Sequence, residues 1–145
     1  MQSGPNSLMT LVRQLRDCCQ RKEDELCGQL SLNSSQYECL LLFPESGSVS
    51  VNELSGILKL SVSRTSRIID TLVRGGFLSR RTPDTDRRSR RLRLTPKGRV
   101  SRKTIDRLVA ECESRLMAHL PARRVPEIRR EIEALIKAFD RGTRG

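Results

Sequence analysis

Nowhere in the 145 residues is there an apolar run of the roughly 18 residues needed to cross a bilayer as a helix. The first residues also lack the basic-then-apolar pattern of a secretory signal, so the expectation is a soluble, intracellular, cytoplasmic chain with no membrane partner. Catalytic constellations are missing too. His119 is the single histidine, and a lone histidine is more often an ordinary surface or core residue than a ligand. Ser46, Ser48 and Ser50 have no neighbouring His/Asp pair, and neither a Gly-rich phosphate loop nor a carboxylate pair stands in catalytic context. An enzyme is not expected, nor is a cofactor.

Cysteine is present in an odd number, Cys18, Cys19, Cys27, Cys39 and Cys112, which argues against a disulfide framework inside a cell. No pair has the C-x-x-C or i,i+4 spacing of a local metal site, and Cys18 and Cys19, being adjacent, lie on different faces of a helix. Structural thiols packed into helix faces are the leading expectation. A thiol switch through Cys18 or Cys19 is the alternative.

What the chain has in excess is positive charge, in one place. The net charge is +11, yet residues 61–102 hold 13 Lys/Arg against 3 Asp/Glu, while the remainder is nearly balanced at 15 against 14. A polyanion should dock where the excess is focused. The competing reading is a solvated basic face with no partner.

That region also has a clear local pattern. Ser61 is a good N-cap for a helix to about Arg74, with Ile68, Ile69, Leu72 and Val73 as an apolar stripe and Ser63, Arg64, Arg67 and Arg74 largely off it. Gly75-Gly76 ends this helix. Leu78 to Thr82 and Arg90 to Leu94 read as two strands joined by a turn-forming tip, residues 83–89, which gives a basic β-hairpin. The duplex major groove admits a helix, and an arginine-bearing loop can enter the minor groove beside it.

Upstream, the periodic apolar residues from Ser7 to Leu30 indicate a long amphipathic helix. Asn33 and Gln36 form a capping-box sequence for a second helix that Pro44 ends, Ser48 to Ser50 suggest a minimal third strand, and Ser50 and Glu53 form another capping box opening a short helix with Leu54, Ile57 and Leu58. Short helix, turn at Lys59-Leu60, arginine-faced helix is the sequence form of helix-turn-helix. Downstream, Thr95 can cap a helix with Pro96 in its first turn, running to about His119. Pro121 and Pro126 bracket a break before a last helix to about Asp140. The expected fold is mainly α with a small β-hairpin: six helices in a single domain 1–145, residues 7–31 and 96–140 being dimerisation helices and 32–95 a winged helix-turn-helix unit.

Several blocks in unbroken order carry a more specific likeness: Leu32 with Gln36-Tyr37; Ser61-Val62-Ser63-Arg64-Thr65-Ser66-Arg67-Ile68-Ile69-Asp70 with Leu72; Gly75-Gly76-Phe77-Leu78 with Arg80; Asp84 with Asp86-Arg87-Arg88; and Leu92 with Leu94-Thr95 and Gly98. In these the chain resembles the multiple antibiotic resistance regulator (MarR) family of bacterial transcription factors. The resemblance implies a homodimer, its body built by the first, fifth and sixth helices, that binds a palindromic operator on double-stranded DNA and represses until a small molecule or oxidant intervenes. It implies that Ser61, Ser63, Arg64, Thr65, Ser66 and Arg67 face the major groove, that Arg88 enters the minor groove braced by Asp86, and that Arg87 meets phosphate. It further implies an effector site between dimer body and reading head, for which Leu15, Tyr37, Leu41 and Leu108 are candidates; core packing is the alternative for these four. Met9 stands where the peroxide-sensing branch carries its reactive cysteine, which counts against an organic-peroxide sensor. The rival functions are a winged-helix protein-docking module and a sequence-neutral architectural DNA binder.

Overall fold

Short-range capping chemistry sets most of the helix boundaries in the computed structural model, which describes residues 4, 7–81 and 91–142. The first helix, α1 (Leu8–Leu30), starts where Ser7 Oγ accepts from the Thr10 amide at 3.2 Å and stops at Ser31, which adopts a left-handed φ of 53°. In α2 (Ser34–Leu42) both halves of the capping box form: the Gln36 amide donates to Asn33 Oδ1 at 2.9 Å and the Asn33 amide to Gln36 Oε1 at 3.0 Å. In α3 (Val51–Leu58) the Glu53 amide donates to Ser50 Oγ at 3.1 Å and the Ser50 amide to Glu53 Oε2 at 2.6 Å. Ser61 Oγ caps α4 (Val62–Arg74) through the Arg64 amide at 3.2 Å. Beyond α4 the chain reverses at Gly76, whose φ of 78° costs glycine no Cβ clash.

The hairpin strands are β1 (Leu78–Arg81) and β2 (Arg91–Leu94), antiparallel with Leu78 opposite Leu94 and Arg81 opposite Arg91. The ends expected at Thr82 and Arg90 lie outside the described residues. The expected minimal third strand is a single bridge between Val49 and Leu92. Helix α5 (Pro96–Ala118) follows, and Thr95 Oγ1 accepts from the Gly98 amide at 3.0 Å. Here the chain must be glycine, because a Cβ at position 98 would sit 2.0 Å from the Phe77 carbonyl oxygen.

The chain divides into two compact units, Met1–Asp106 and Arg107–Gly145. In the first, Leu40, Leu54, Ile69, Leu72, Leu92 and Ile105 form a fully buried core drawn from α2, α3, α4, β2 and α5. Arg102 reaches across this unit to donate to the Leu40 carbonyl at 3.0 Å, which places a cation at the C-terminal end of α2. The stripe expected on α4 is shifted: Thr65, Ile69 and Leu72 are buried, whereas Ile68 and Val73 are only half-buried. On α3, Leu54 and Leu58 are buried as expected but Ile57 is exposed.

The second unit contains the end of α5, a 3-10 turn (Ala122–Arg124) and α6 (Val125–Gly142). Leu116, Met117, Leu120, Val125, Ile128 and Ile132 line most of an apolar cavity of about 210 Å³ within it. No residue of α6 is buried, and Ile136 is 56% exposed.

Candidate nucleic-acid interface

Helix α4 is held from behind and open in front. Ile69 and Leu72 anchor it in the core, and Gln36 Nε2 of α2 donates to Thr71 Oγ1 at 3.3 Å while that hydroxyl donates to the Ile68 carbonyl at 2.7 Å. On the other side Ser61, Ser63, Arg64 and Arg67 are exposed, and Ser66 is half-buried. Arg64 and Arg67 are three residues apart, so their side chains rise from neighbouring positions on one face. Neither forms an ion pair among the described residues. Beside Arg67 a cleft of about 450 Å³ opens between α2 and α4, lined also by Asn33, Ser34, Ser35, Ile68 and Thr71.

Thr65 departs from its expected place on the reading face. It is fully buried, and its hydroxyl has no hydrogen-bond partner among the described residues. Its position explains this: Thr65, Ile69 and Leu72 recur at i, i+4 and i+7, the inner line of the helix.

The hairpin's arginines divide into two kinds. Arg80 pairs with Asp70 of α4. Arg91 donates from Nη2 to the Ser48 carbonyl at 2.7 Å, from Nε to Ser48 Oγ at 3.1 Å and from Nη1 to Glu53 Oε2 at 3.0 Å. Arg81 and Arg93 are exposed and carry no ion pair among the described residues. Lys97 seals the joint between α4 and the hairpin, donating to the Gly75 carbonyl at 2.7 Å with its ammonium 4.4 Å from the centre of the Phe77 ring. Asp86, Arg87 and Arg88, expected at the wing tip, lie outside the described residues. Sequence reasoning missed the internal partners of Arg80 and Arg91; in the sequence they looked like the other basic residues of the hairpin.

Two carboxylates of the first unit are shifted in opposite directions. Hydrogen bonding from Ser50, above all from its backbone amide, and then the charge of Arg91 hold Glu53 below the usual carboxylate range. Burial, followed by the Glu38 and Asp24 charges, raises Glu23 on α1.

Cys18 and Cys19 are exposed on α1, with Arg21 Nη2 3.2 Å from Cys18 Sγ, so the expectation of buried structural thiols does not hold for these two. It holds for Cys27 and Cys39; burial, then Glu38, pushes the Cys39 thiol up to about 12. Of the effector-site candidates, Tyr37 is core, Leu41 half-buried and Leu15 54% exposed within the first unit, whereas Leu108 belongs to the second. None of the four lines either cavity described above. Among the described residues no group of three His, Cys, Asp or Glu side chains could hold a metal ion, and no helix is long and apolar enough to cross a membrane.

Short helix, turn, arginine-faced helix and antiparallel hairpin, in that order and packed on one core, define a winged helix-turn-helix protein. Residues 32–89, about two fifths of the chain, match the model of the MarR family. YsmB of Bacillus subtilis (strain 168), an uncharacterized HTH-type transcriptional regulator, is 29% identical over 87 residues; the match spans 60% of this chain and 60% of that relative's length. A MepR mutant from S. aureus superposes with a TM-score of 0.75 at 17% identity, covering 92% of this chain and 98% of its own. A second MepR mutant, bound to an oligodeoxyribonucleotide, gives 0.63 at 18% identity with coverage of 92% and 98%. NadR in complex with 4-hydroxyphenylacetate gives 0.69 at 20% identity, covering 93% and 96%. At these identities the structural likeness is one of fold.

Proposed function

We infer that this protein is a cytoplasmic transcriptional regulator that binds double-stranded DNA in a sequence-specific manner, acting as a homodimer on a palindromic operator and repressing until a small molecule or an oxidant releases it. The observation that carries this reading is that Arg64 and Arg67, on the open face of a firmly packed helix, and Arg81 and Arg93 of the adjoining hairpin have no ion pair among the described residues. A guanidinium free of carboxylates can make a bidentate contact to a guanine edge, a contact that discriminates by roughly 1–3 kcal/mol. Arg81 and Arg93, together with Arg87 and Arg88 of the tip, would supply phosphate and minor-groove contacts whose strength falls with salt.

The homodimer is supported by apolar residues left open in each unit. Leu8, Met9, Leu11 and Leu15 on α1, and Leu116, Ile132, Ile136 and Phe139 in the second unit, are all exposed. Rows of that kind mark association surfaces more often than solvated ones. A two-fold dimer presents two copies of α4 about one helical turn of DNA apart, on the order of 10 bp, which calls for a palindromic site. NadR, solved with 4-hydroxyphenylacetate, supports a small-molecule effector by analogy of fold; the exposed Cys18 and Cys19 support an oxidant instead.

Fluorescence anisotropy tests the reading, with a labelled duplex from the protein's own upstream region against a scrambled duplex over a salt series. At least about a thousandfold preference for the first is expected of a specific regulator. Equal, salt-steep binding to both would make it an architectural DNA binder, and no binding at low salt would turn the basic hairpin into a protein-docking surface.

A further inference from the structure

The hairpin is joined to the body of the first unit by very little backbone. Among the described residues, the Val49–Leu92 bridge is its one backbone pairing with the segment before α3, through two hydrogen bonds of 3.1 Å and 2.8 Å. Arg91 stands next to that bridge, at the first described position of β2, and its fork closes on both sides of Val49. Two donors go to Ser48, one residue before Val49, and a third goes to Glu53, which itself accepts from the amide of Ser50, one residue after. The same carboxylate therefore completes the N-terminal cap of α3 and receives the wing's arginine. A planar guanidinium with donors along two edges can make these bonds at once; an ammonium at the end of a flexible stem cannot.

We propose that Arg91 and Glu53 are positioning residues that lock the wing to the first helix of the helix-turn-helix pair, so that wing and α4 meet DNA in one fixed relation. Arg91, although among the basic residues of the hairpin, acts on the protein and not on phosphate. The proposal rests on the DNA-binding reading, and it makes a prediction of opposite sign to simple electrostatics. Removing the negative charge of Glu53 near a polyanion site should tighten binding if only charge matters, and should weaken it if the charge holds the wing in place.

Three variants and two readouts test this. Glu53→Gln keeps a side chain able to complete a capping box, as Gln36 does in α2, so α3 keeps its cap while the ion pair is lost. Arg91→Gln removes the charge, and Arg91→Lys keeps the charge but not the fork. All three are expected to weaken operator binding by about tenfold, and Lys no less than Gln. Amide hydrogen exchange at Val49 and Leu92 is expected to accelerate in each, with or without DNA. Tighter or unchanged binding by Glu53→Gln, or wild-type affinity in Arg91→Lys, overturns the proposal. If the wild-type protein binds no duplex, the DNA reading fails on its own; exchange at the two amides then decides whether the lock exists, and unchanged exchange refutes it.

Discussion

Helices α4 and α6 are both amphipathic, yet they meet opposite fates. The inner line of α4 is wholly buried at Thr65, Ile69 and Leu72, while α6 buries none of its residues, leaving Ile132 and Ile136 41% and 56% exposed. An apolar stripe states that a face needs cover; it does not state where the cover comes from. For α4 the same chain supplies it, through α2, α3 and the hairpin, and the outward face is held firmly in place. For α6 the proposed homodimer would supply it from a second copy of the chain.

The sharpest way to break that comparison is to cut each stripe. Leu72→Ala should destabilise the fold by about 3 kcal/mol, because a fully buried leucine leaves a cavity behind; a urea-melt midpoint within error of wild type would contradict the core assignment. Ile136→Glu should leave far-UV circular dichroism intact and shift the protein to a lower mass by light scattering. A persistent dimer would refute the proposed cover.

The two faces of α4 give a second contrast, between residues two positions apart in sequence. Arg67→Ala should cost roughly 1–3 kcal/mol of operator binding with loss of base preference at one position, measured by anisotropy against single-site operator variants. Thr65→Val should do the reverse: DNA affinity unchanged and the fold more stable by about 1 kcal/mol, since a buried hydroxyl without a partner is replaced by a methyl of similar shape. Weakened DNA binding by the valine variant would return Thr65 to the reading face.

The smallest effects concern the cysteines. Exposed Cys18 and Cys19 should alkylate readily at pH 8, whereas Cys39, with its thiol pushed up to about 12 by burial, should stay unmodified until the protein unfolds. The sign for stability follows. The folded thiol holds its proton above the ordinary value of 9.0, so its contribution is complete below pH 9 and is lost as pH rises toward 12. Mass spectrometry of labelled peptides and melts from pH 8 to 11 would show both; labelling of Cys39 in the native protein would be inconsistent with its burial.

Much of the fold was legible because its signals act over three or four residues. The caps at Asn33, Ser50 and Ser61 and the termination at Gly75-Gly76 depend on neighbours along the chain, and the structure places all of them where the sequence suggests. The site was legible in part. Exposed Arg64 and Arg67 follow from helical period alone, whereas Thr65 comes to the reading face only through the family resemblance, and its period puts it in the core, where the structure buries it. Arg91 was beyond reach for another reason: its partners Ser48 and Glu53 lie 43 and 38 residues away, and no local pattern ties them.

The sequence by itself determined the order of elements, the concentration of charge on one helix and hairpin, and the scarcity of catalytic groups, since composition and short-range periodicity are properties of the chain before it folds. Only the tertiary structure decided which arginines are spent on the protein and which stay available. That choice depends on carboxylates and carbonyls brought within 3 Å or so from distant segments, and hydrogen bonds of that length exist only once packing has fixed both partners.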